Sequence, residues 1–286
     1  KGEGLGNKFL SHIRETDAIV EVVRCFENSN VVHVDGSINP IRDIETINLE
    51  LVFADIETVN KRIDKAKKNL KADKKYQVEI DLLERILETL ESGKSARTLD
   101  FNDEEQSMVK EMFLLTTKPI LYVANVSEEQ LENAEQDENV QKVKQYAAEE
   151  GAEVVPLCVK MEEELSGLDD EDKKEMLAMY NLDESGLDKV VRKSYDLLGL
   201  MSFLTAGEPE VRAWTIKKGT KAPEAAGKIH SDIQRGFIKA EVVSYDDLIK
   251  EGSMVAAKER GLVRSEGKEY VMQDGDIVLF KFNVSK

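Results

Sequence analysis

Between residues 52 and 90 the apolar positions fall three or four apart: Val52, Ile56, Val59, Ile63, Ala66 and Leu70, then, past Ala72-Asp73-Lys74-Lys75, Val78, Leu82, Ile86 and Leu90. A single narrow stripe at that spacing predicts two long helices folded back as an antiparallel hairpin from a globular body, with Gly93 as terminator. On either side the pattern shifts to runs of strand length. Ala18 to Phe26 and Ile120 to Ala124 are β-branched or apolar runs, the first placed as a central strand between the short helix at Asn7 to Glu15 and a surface loop holding Val34-Asp35-Gly36 and Asn39-Pro40. Residues from about Asp103 to Leu115 are expected to return helically toward the strand at Ile120.

After that strand come Asn125-Val126-Ser127-Glu128, a charged helix through Gln141 to Tyr146, a strand from Glu153 to Cys158, and a helix around Lys173 to Leu177. This β-α-β alternation predicts a parallel sheet with ligand loops at the strand ends. The last third differs. Val211 to Ile216 alternates as a strand, a turn at Gly219 enters a helix at Glu224 to Ile229, and Gln273-Asp274-Gly275-Asp276 turns into a closing strand, Ile277 to Phe282. These make an α+β module of about 85 residues, a usual domain size.

With 286 residues, two or three domains are expected, and a charged fraction of 34% against 6% aromatic favours exposed helix over a large β-sandwich. No apolar run reaches the roughly eighteen residues of a membrane span, and no signal-peptide pattern is present. Cys25 and Cys158 have neither disulfide nor metal spacing and are expected as buried thiols of a cytosolic protein. The formal charge of −17 argues against nucleic-acid binding by the protein as a whole. Its distribution changes that picture: residues from Met201 onward carry 14 Lys+Arg against 13 Asp+Glu, so the acidity belongs to the first two thirds. Within the hairpin, Lys61, Arg62, Lys65, Lys67, Lys68, Lys71, Lys74 and Lys75 face only Asp64 and Asp73. That cluster is either a solvated helix face or a contact for a phosphate backbone, with Lys67, Lys68 and Lys71 as candidates.

Few residues offer catalytic chemistry. Gly93-Lys94-Ser95 imitates the end of a phosphate-binding loop, but G-x-x-x-x-G-K-[ST] requires glycine where this chain has Glu88, and no other position fits. His12, His33 and His230 are isolated from one another, no metal ligand set is spaced along the chain, and no catalytic residue is assigned. Asn125-Val126-Ser127-Glu128 has two readings. It fits a helix N-terminus with Ser127 as cap. It also fits a purine-reading loop, Asn-Lys-x-Asp in GTPases, whose guanine-specific aspartate is replaced; adenine lacks the pair of adjacent donors that this aspartate accepts.

Lys1-Gly2-Glu3-Gly4-Leu5-Gly6-Asn7-Lys8-Phe9-Leu10, Val22-Val23-Arg24-Cys25-Phe26-Glu27-Asn28, the Asp35-Gly36, Asn39-Pro40 and Asp43-Ile44-Glu45 segment, Asn125-Val126-Ser127-Glu128, and Asp274-Gly275-Asp276-Ile277 together resemble the Obg-like ATPases known as YchF, of the translation-factor-related P-loop GTPase class. The resemblance covers essentially the whole chain and places Lys1 to Leu10 just after that family's DxxG switch. It implies a partial P-loop GTPase-like parallel-sheet domain (residues 1–48 and 117–200), an inserted helical hairpin or coiled coil (49–116), and a C-terminal β-grasp TGS domain (201–286). In that frame Asn125 hydrogen-bonds the purine, Val126 packs on the base, Glu128 replaces the guanine-reading aspartate, and Cys158 and Val159 lie in the second base-contacting loop, although Cys158-Val159-Lys160 departs from Ser-Ala-Lys. The implied activity is that of a cytoplasmic, ribosome-associated ATPase regulating translation or stress response. Its ligands are adenine nucleotide and Mg2+, both needing an upstream P-loop; its partner is the ribosome or its subunits, without membrane or sequence-specific DNA. The alternative is a non-enzymatic ribosome or RNA interaction fragment lacking the P-loop.

Overall fold

The computed structural model describes residues 6–28, 37–71, 73–207 and 210–283; residues 1–5, the Val34-Asp35-Gly36 segment and Ala72 lie outside the described residues. The chain divides into two units, Lys1–Ser194 and Tyr195–Lys286. In the first, α1 (Asn7–Arg14), β1 (Ile19–Arg24), α2 (Pro40–Leu70), α3 (Tyr76–Glu91), α4 (Asp103–Lys110), β2 (Ile120–Asn125), α5 (Glu138–Glu149), β3 (Glu153–Leu157), α6 (Val159–Ser166) and α7 (Asp170–Met179) lead to α8 (Gly186–Leu197), which crosses the boundary.

The sheet is parallel, in the order β1-β2-β3, with Arg24 opposite Asn125 and Asn125 opposite Leu157, so the three strands end side by side. The central strand is β2, whose first five residues are all buried. Among the described residues β1, expected as a central strand over Ala18 to Phe26, pairs with β2, and Val20 and Val22 are exposed.

The helical hairpin is present but begins earlier than its stripe suggests. Asn39, read as a loop residue, caps α2 by accepting the Arg42 N–H at 3.1 Å, and Pro40 occupies the first turn, where a missing N–H costs nothing. Val52, Val59, Ile63 and Ala66 of α2 close against Ile80, Leu83, Ile86 and Leu90 of α3. Val78, assigned to the seam, is exposed, because repeated steps of four drift around the helix while the buried set mixes threes and fours. Gly93 follows α3 at φ +81°, a conformation that glycine adopts at little cost.

The return segment is helical only to Lys110; the chain then turns through Phe113 at φ +51°. Its brake is Asp55 of α2, fully buried, whose carboxylate accepts the N–H groups of Leu115 and Thr116 at 3.0 and 2.7 Å, the Thr116 hydroxyl at 2.7 Å and Arg14 Nη1 at 3.4 Å. Those amides are therefore committed to a side chain instead of to helix continuation.

Against the sheet sits a second polar group. Tyr122 donates to Glu150 Oε2 at 2.9 Å and accepts from Asn48 Nδ2 at 3.4 Å, and Arg97 Nη1 reaches the same Glu150 oxygen at 3.2 Å. Glu21, opposite Tyr122 in register, has its carboxyl pushed up to about 8 by burial, with Arg97 pulling down and Glu150 pushing up. Glu21 Oε2, Asn48 Oδ1 and Arg97 Nη2 are buried without a hydrogen-bond partner among the described residues.

In the second unit, β4 (Leu200–Ala206), β5 (Val211–Lys217), α9 (Ala222–Ile229), α10 (Ser231–Arg235), β6 (Phe237–Ser244), α11 (Tyr245–Glu251), α12 (Met254–Glu259), β7 (Arg264–Glu266) and β8 (Asp276–Phe282) build a sheet in the order β5-β4-β8-β6-β7, with β4 and β8 parallel and the other pairs antiparallel. Alternation along β8 sends Val278 and Phe280 to a core with Ala225 and Ala226 of α9, and Ile277 to a second cluster with Ala257 of α12. The Asp274-Gly275-Asp276 turn has a structural purpose: Asp274 accepts the Ser202 N–H at 2.8 Å, Gly275 stands at φ +77°, and buried Asp276 accepts from Tyr270 and Gln273, both at 2.9 Å.

Two predictions follow from the first unit's polar groups. Asp55→Ala strands two buried amides and a hydroxyl and should lower the free energy of unfolding by about 3 kcal/mol in urea titration, while Arg14→Ala should cost much less. Glu21 ionises at an ordinary pH in the unfolded chain but keeps its proton to about 8 when folded, so stability is lost as pH climbs from the unfolded value through about 8. Glu21→Gln should therefore raise the urea midpoint at about pH 8 and leave it unchanged at about pH 4; a shift of equal size at both would contradict the assignment.

Candidate nucleotide-base site

Because the three strands end together, so do the segments that leave them. Backbone pairing continues past the strands: Cys25 N–H donates to Asn125 O at 2.8 Å, and Val126 N–H to Leu157 O at 2.9 Å. Between these segments lies a cleft of about 570 Å³ lined by Phe26, Glu27, Asn28, Asn125, Val126, Ser127, Glu128, Glu129, Cys158, Val159, Lys160 and Glu163. Asn125, Val126, Glu128, Cys158 and Val159 are thus brought to one place.

Their roles differ. Asn125 Oδ1 accepts the Val159 N–H at 3.1 Å, tying the end of β2 to the start of α6 and leaving Nδ2 to donate. Both purines present an N7 acceptor, so such a donor recognises a purine without choosing between adenine and guanine. Glu128 Oε1 accepts from Lys160 Nζ at 2.7 Å, and that hydrogen bond, ahead of the charge itself, holds the Lys160 ammonium above its usual range. Val126 is 1% exposed and belongs to the core cluster that includes Val23, Cys25 and Cys158, so it offers the cleft little side-chain surface. Cys158 precedes α6 and is buried, while Val159 is exposed. Burial pushes the Cys25 thiol up to about 12, which suits an inert core residue, and both cysteines are free.

The helix-start reading of the tetrapeptide also holds. A 3₁₀ segment begins at Glu128, and the Ser127 N–H donates to Gln130 Oε1 at 2.8 Å. Gln130 in turn donates to Cys25 O at 3.3 Å and Asp137 Oδ2 at 2.7 Å, fastening this turn to the segment after β1.

Phe26, Lys160 and Glu163 were not assigned from sequence. Phe26 carries the Arg24 guanidinium 4.7 Å over its ring. Its signal was its place two residues past a strand end, which becomes informative only once that strand is known to neighbour β2. On the hairpin, Lys67 is paired with Glu84 at 2.9 Å, whereas Lys68 and Lys71 are exposed and form no ion pair among the described residues. No group of three His, Cys, Asp or Glu among the described residues could hold a metal, and no helix there is long and apolar enough to cross a membrane.

A parallel sheet whose strand ends carry such loops belongs to the P-loop GTPase-like class of α/β proteins, and structural comparison agrees. A solved Schizosaccharomyces pombe YchF GTPase matches with a TM-score of 0.85 at 36% identity, covering 98% of this chain and 76% of that one. A GTP binding protein from Pyrococcus horikoshii OT3 shares the fold, at a TM-score of 0.59 and 19% identity over 96% of this chain and 81% of that one. The family model YchF-GTPase_C, described as a protein of unknown function (DUF933), matches residues 200–283. The chain is 56% identical to the ribosome-binding ATPase YchF of Bacillus subtilis over 99% of its own length and 78% of that protein's, and 47% identical to its counterpart in Escherichia coli O157:H7 over the same shares. The chain belongs to the YchF family.

Asn125→Ala should leave the Val159 N–H without its acceptor and loosen the turn between β3 and α6. The expected outcome is faster amide exchange at Val159 and Lys160, with protection in β2 unchanged.

Proposed function

We propose that the protein is a ribosome-associated, ATP-binding and ATP-hydrolysing P-loop protein that acts in the cytoplasm to regulate translation or stress response. The observation that carries the nucleotide half is the gathering of Asn125, Glu128 and Val159 at one cleft beside the strand ends. A guanine-reading aspartate meets the ring N–H and exocyclic amine of the base, and here the longer Glu128 stands in its place with its carboxylate drawn toward Lys160. Guanine donors left unpaired in a base pocket cost about 1–3 kcal/mol, which disfavours guanine. In this reading Asn125 donates to the purine, Val126, Cys158 and Val159 line the base, and Phe26 closes the cleft. In the same reading Mg2+ enters with the nucleotide phosphates.

The ribosome half is supported by relatives carrying that activity in their names, at 56% and 47% identity. Residues 1–48 and 117–200 form the nucleotide-binding domain, 49–116 a coiled-coil hairpin, and 201–286 a β-grasp domain of the TGS kind, with Lys67, Lys68 and Lys71 as ribosome or RNA contacts. Of these three, Lys68 and Lys71 are the better placed, Lys67 being engaged by Glu84.

Fluorescent ATP and GTP analogues titrated into the full-length protein should show ATP binding at least about tenfold tighter, a difference of about 1.4 kcal/mol. Equal or tighter binding of GTP would remove the base-reading argument. Co-sedimentation with ribosomes should weaken steeply with salt.

A further inference from the structure

Gln130 stands behind the base cleft without lining it, and both ends of its side chain are engaged. Its Oε1 accepts the Ser127 N–H at 2.8 Å, and its Nε2 donates to Asp137 Oδ2 at 2.7 Å and to Cys25 O at 3.3 Å. These partners fix the orientation of the amide: the end facing a backbone N–H is the oxygen, and the end facing a carboxylate and a carbonyl is the nitrogen. Asp137 is anchored in turn, its other oxygen accepting the N–H groups of Asn139 and Val140 at 2.9 and 3.1 Å at the start of α5. Asn139 Nδ2 adds a longer bond to Cys25 O, at 3.4 Å.

The segments joined in this way carry opposite walls of the cleft. Cys25 leads into Phe26, Glu27 and Asn28 on one side, and Ser127 lies between Val126 and Glu128 on the other. The Cys25 N–H donates to Asn125 O at 2.8 Å, which fixes the strand end but not the direction in which the chain leaves it. That direction depends on the next peptide. It is planar, so a donor on the Cys25 carbonyl also sets the plane that presents Phe26. Arg24 Nε holds Phe26 O from the same strand at 3.1 Å. Of the two donors on Cys25 O, Gln130 is the one that also bonds the tetrapeptide, so it couples the aromatic wall to the base-reading wall.

We propose that Gln130 is a positioning residue for the nucleotide base, setting the width of the slot between Phe26 and the segment from Asn125 to Glu128. The proposal rests on the reading of this cleft as a purine site and deepens it by separating recognition of the ring from the gap the ring enters. An aromatic face stacks on any base, so the width acts on adenine and guanine alike. Glutamate at this position keeps an acceptor for the Ser127 N–H but has no proton for Cys25 O, and it sets a second carboxylate against Asp137. A neutral amide serves all three partners at once.

The test uses the full-length protein, fluorescent ATP and GTP analogues, and the amide resonances of the cleft recorded with and without nucleotide. Gln130→Glu should shift the Phe26 and Glu27 resonances in the absence of nucleotide and weaken both analogues about tenfold, with their ratio unchanged. In ATP turnover the loss should fall on KM, with kcat held within about twofold. In Gln130→Glu/Asp137→Asn the amide introduced at position 137 donates to the new carboxylate while its oxygen still serves the α5 amides. The urea midpoint should therefore recover and the affinity should not, because Cys25 O is left with the longer Asn139 bond alone. Affinity that recovers together with the midpoint overturns the proposal, since Gln130 then acts through stability only. Gln145→Glu, the same change on the exposed face of α5, should leave affinity unaltered; a loss equal to that of Gln130→Glu also overturns it. The two readings fail differently. Cleft resonances that respond to ATP in the wild type, beside Phe26 and Glu27 resonances unmoved by Gln130→Glu, sink the positioning role alone. Wild-type cleft resonances unmoved by saturating ATP sink the base-site reading, whatever Gln130→Glu does to Phe26.

Discussion

Burial of β2 is the constraint on which the first unit depends. A parallel strand with neighbours on both sides and no solvent-facing side chains must have helices packed against the sheet, and one of those covering it, α2, is 31 residues long. Its first part supplies Ile44 to the sheet core and Leu51 to the packing with α1; from Val52 onward it supplies the hairpin seam. One helix therefore belongs to two cores, and the division proposed between residues 48 and 49 falls inside it without a break in the backbone. A hairpin built on such a helix is coupled to the sheet by continuity rather than by a linker, and Asp55 adds a second tie by holding the return segment at Leu115 and Thr116.

That rigidity is obtained with buried polar groups instead of apolar ones. Tyr122, Asn48, Glu150 and Arg97 satisfy one another in part, and Glu21 remains protonated beside them. Replacing such a set by hydrocarbon of equal volume would often be stabilising. What the polar set supplies is geometry: each partner comes from a different segment, with Asn48 on α2, Tyr122 on β2, Glu150 at the end of α5 and Arg97 just past the hairpin. Each of those bonds ties one segment to another.

The legible parts of the fold were those written in period. The hairpin stripe, the β2 run and the closing strand of the second unit appear where alternation or a three-and-four spacing placed them. Neighbour relations were not legible, because the composition of a strand reports burial and not which strand lies beside it: the pairing of β1 with β2, across the whole hairpin, appears only in the register. Caps that look like turn residues were misplaced for the same reason: Asn39-Pro40 is loop chemistry until the helix after it is known. In the second unit β4, β6 and β7 went unassigned: the apolar residues of β4 and β6 are shared between two clusters, and β7, Arg264-Ser265-Glu266, has none. At the candidate site the tetrapeptide was visible, the loop at Cys158 and Val159 came only through the family resemblance, and the Glu128–Lys160 bond and Phe26 were not visible. Lys160 lies 32 residues from Glu128, and Phe26 lies about a hundred residues from Asn125; only the parallel register makes them neighbours.

That register also limits what any one residue can say about the base. Asn125 has one oxygen and one nitrogen, and the oxygen is spent on the Val159 N–H that joins two loops. In the reading proposed above, its remaining donor meets an atom common to both purines, so the residue fixes the cleft and recognises the ring system without selecting within it. On the same reading selection falls to Glu128, whose position at the first residue of a 3₁₀ turn fixes its backbone while its side chain reaches Lys160 on a different segment. An exposed ion pair of this kind contributes little to stability. In the proposed reading its weight in recognition lies in reach: a glutamate is one methylene longer than the guanine-reading aspartate and leans toward Lys160, which displaces the acceptors that guanine needs and costs nothing to a base that needs none. On that reading the choice of nucleotide is separable from the stability of the fold.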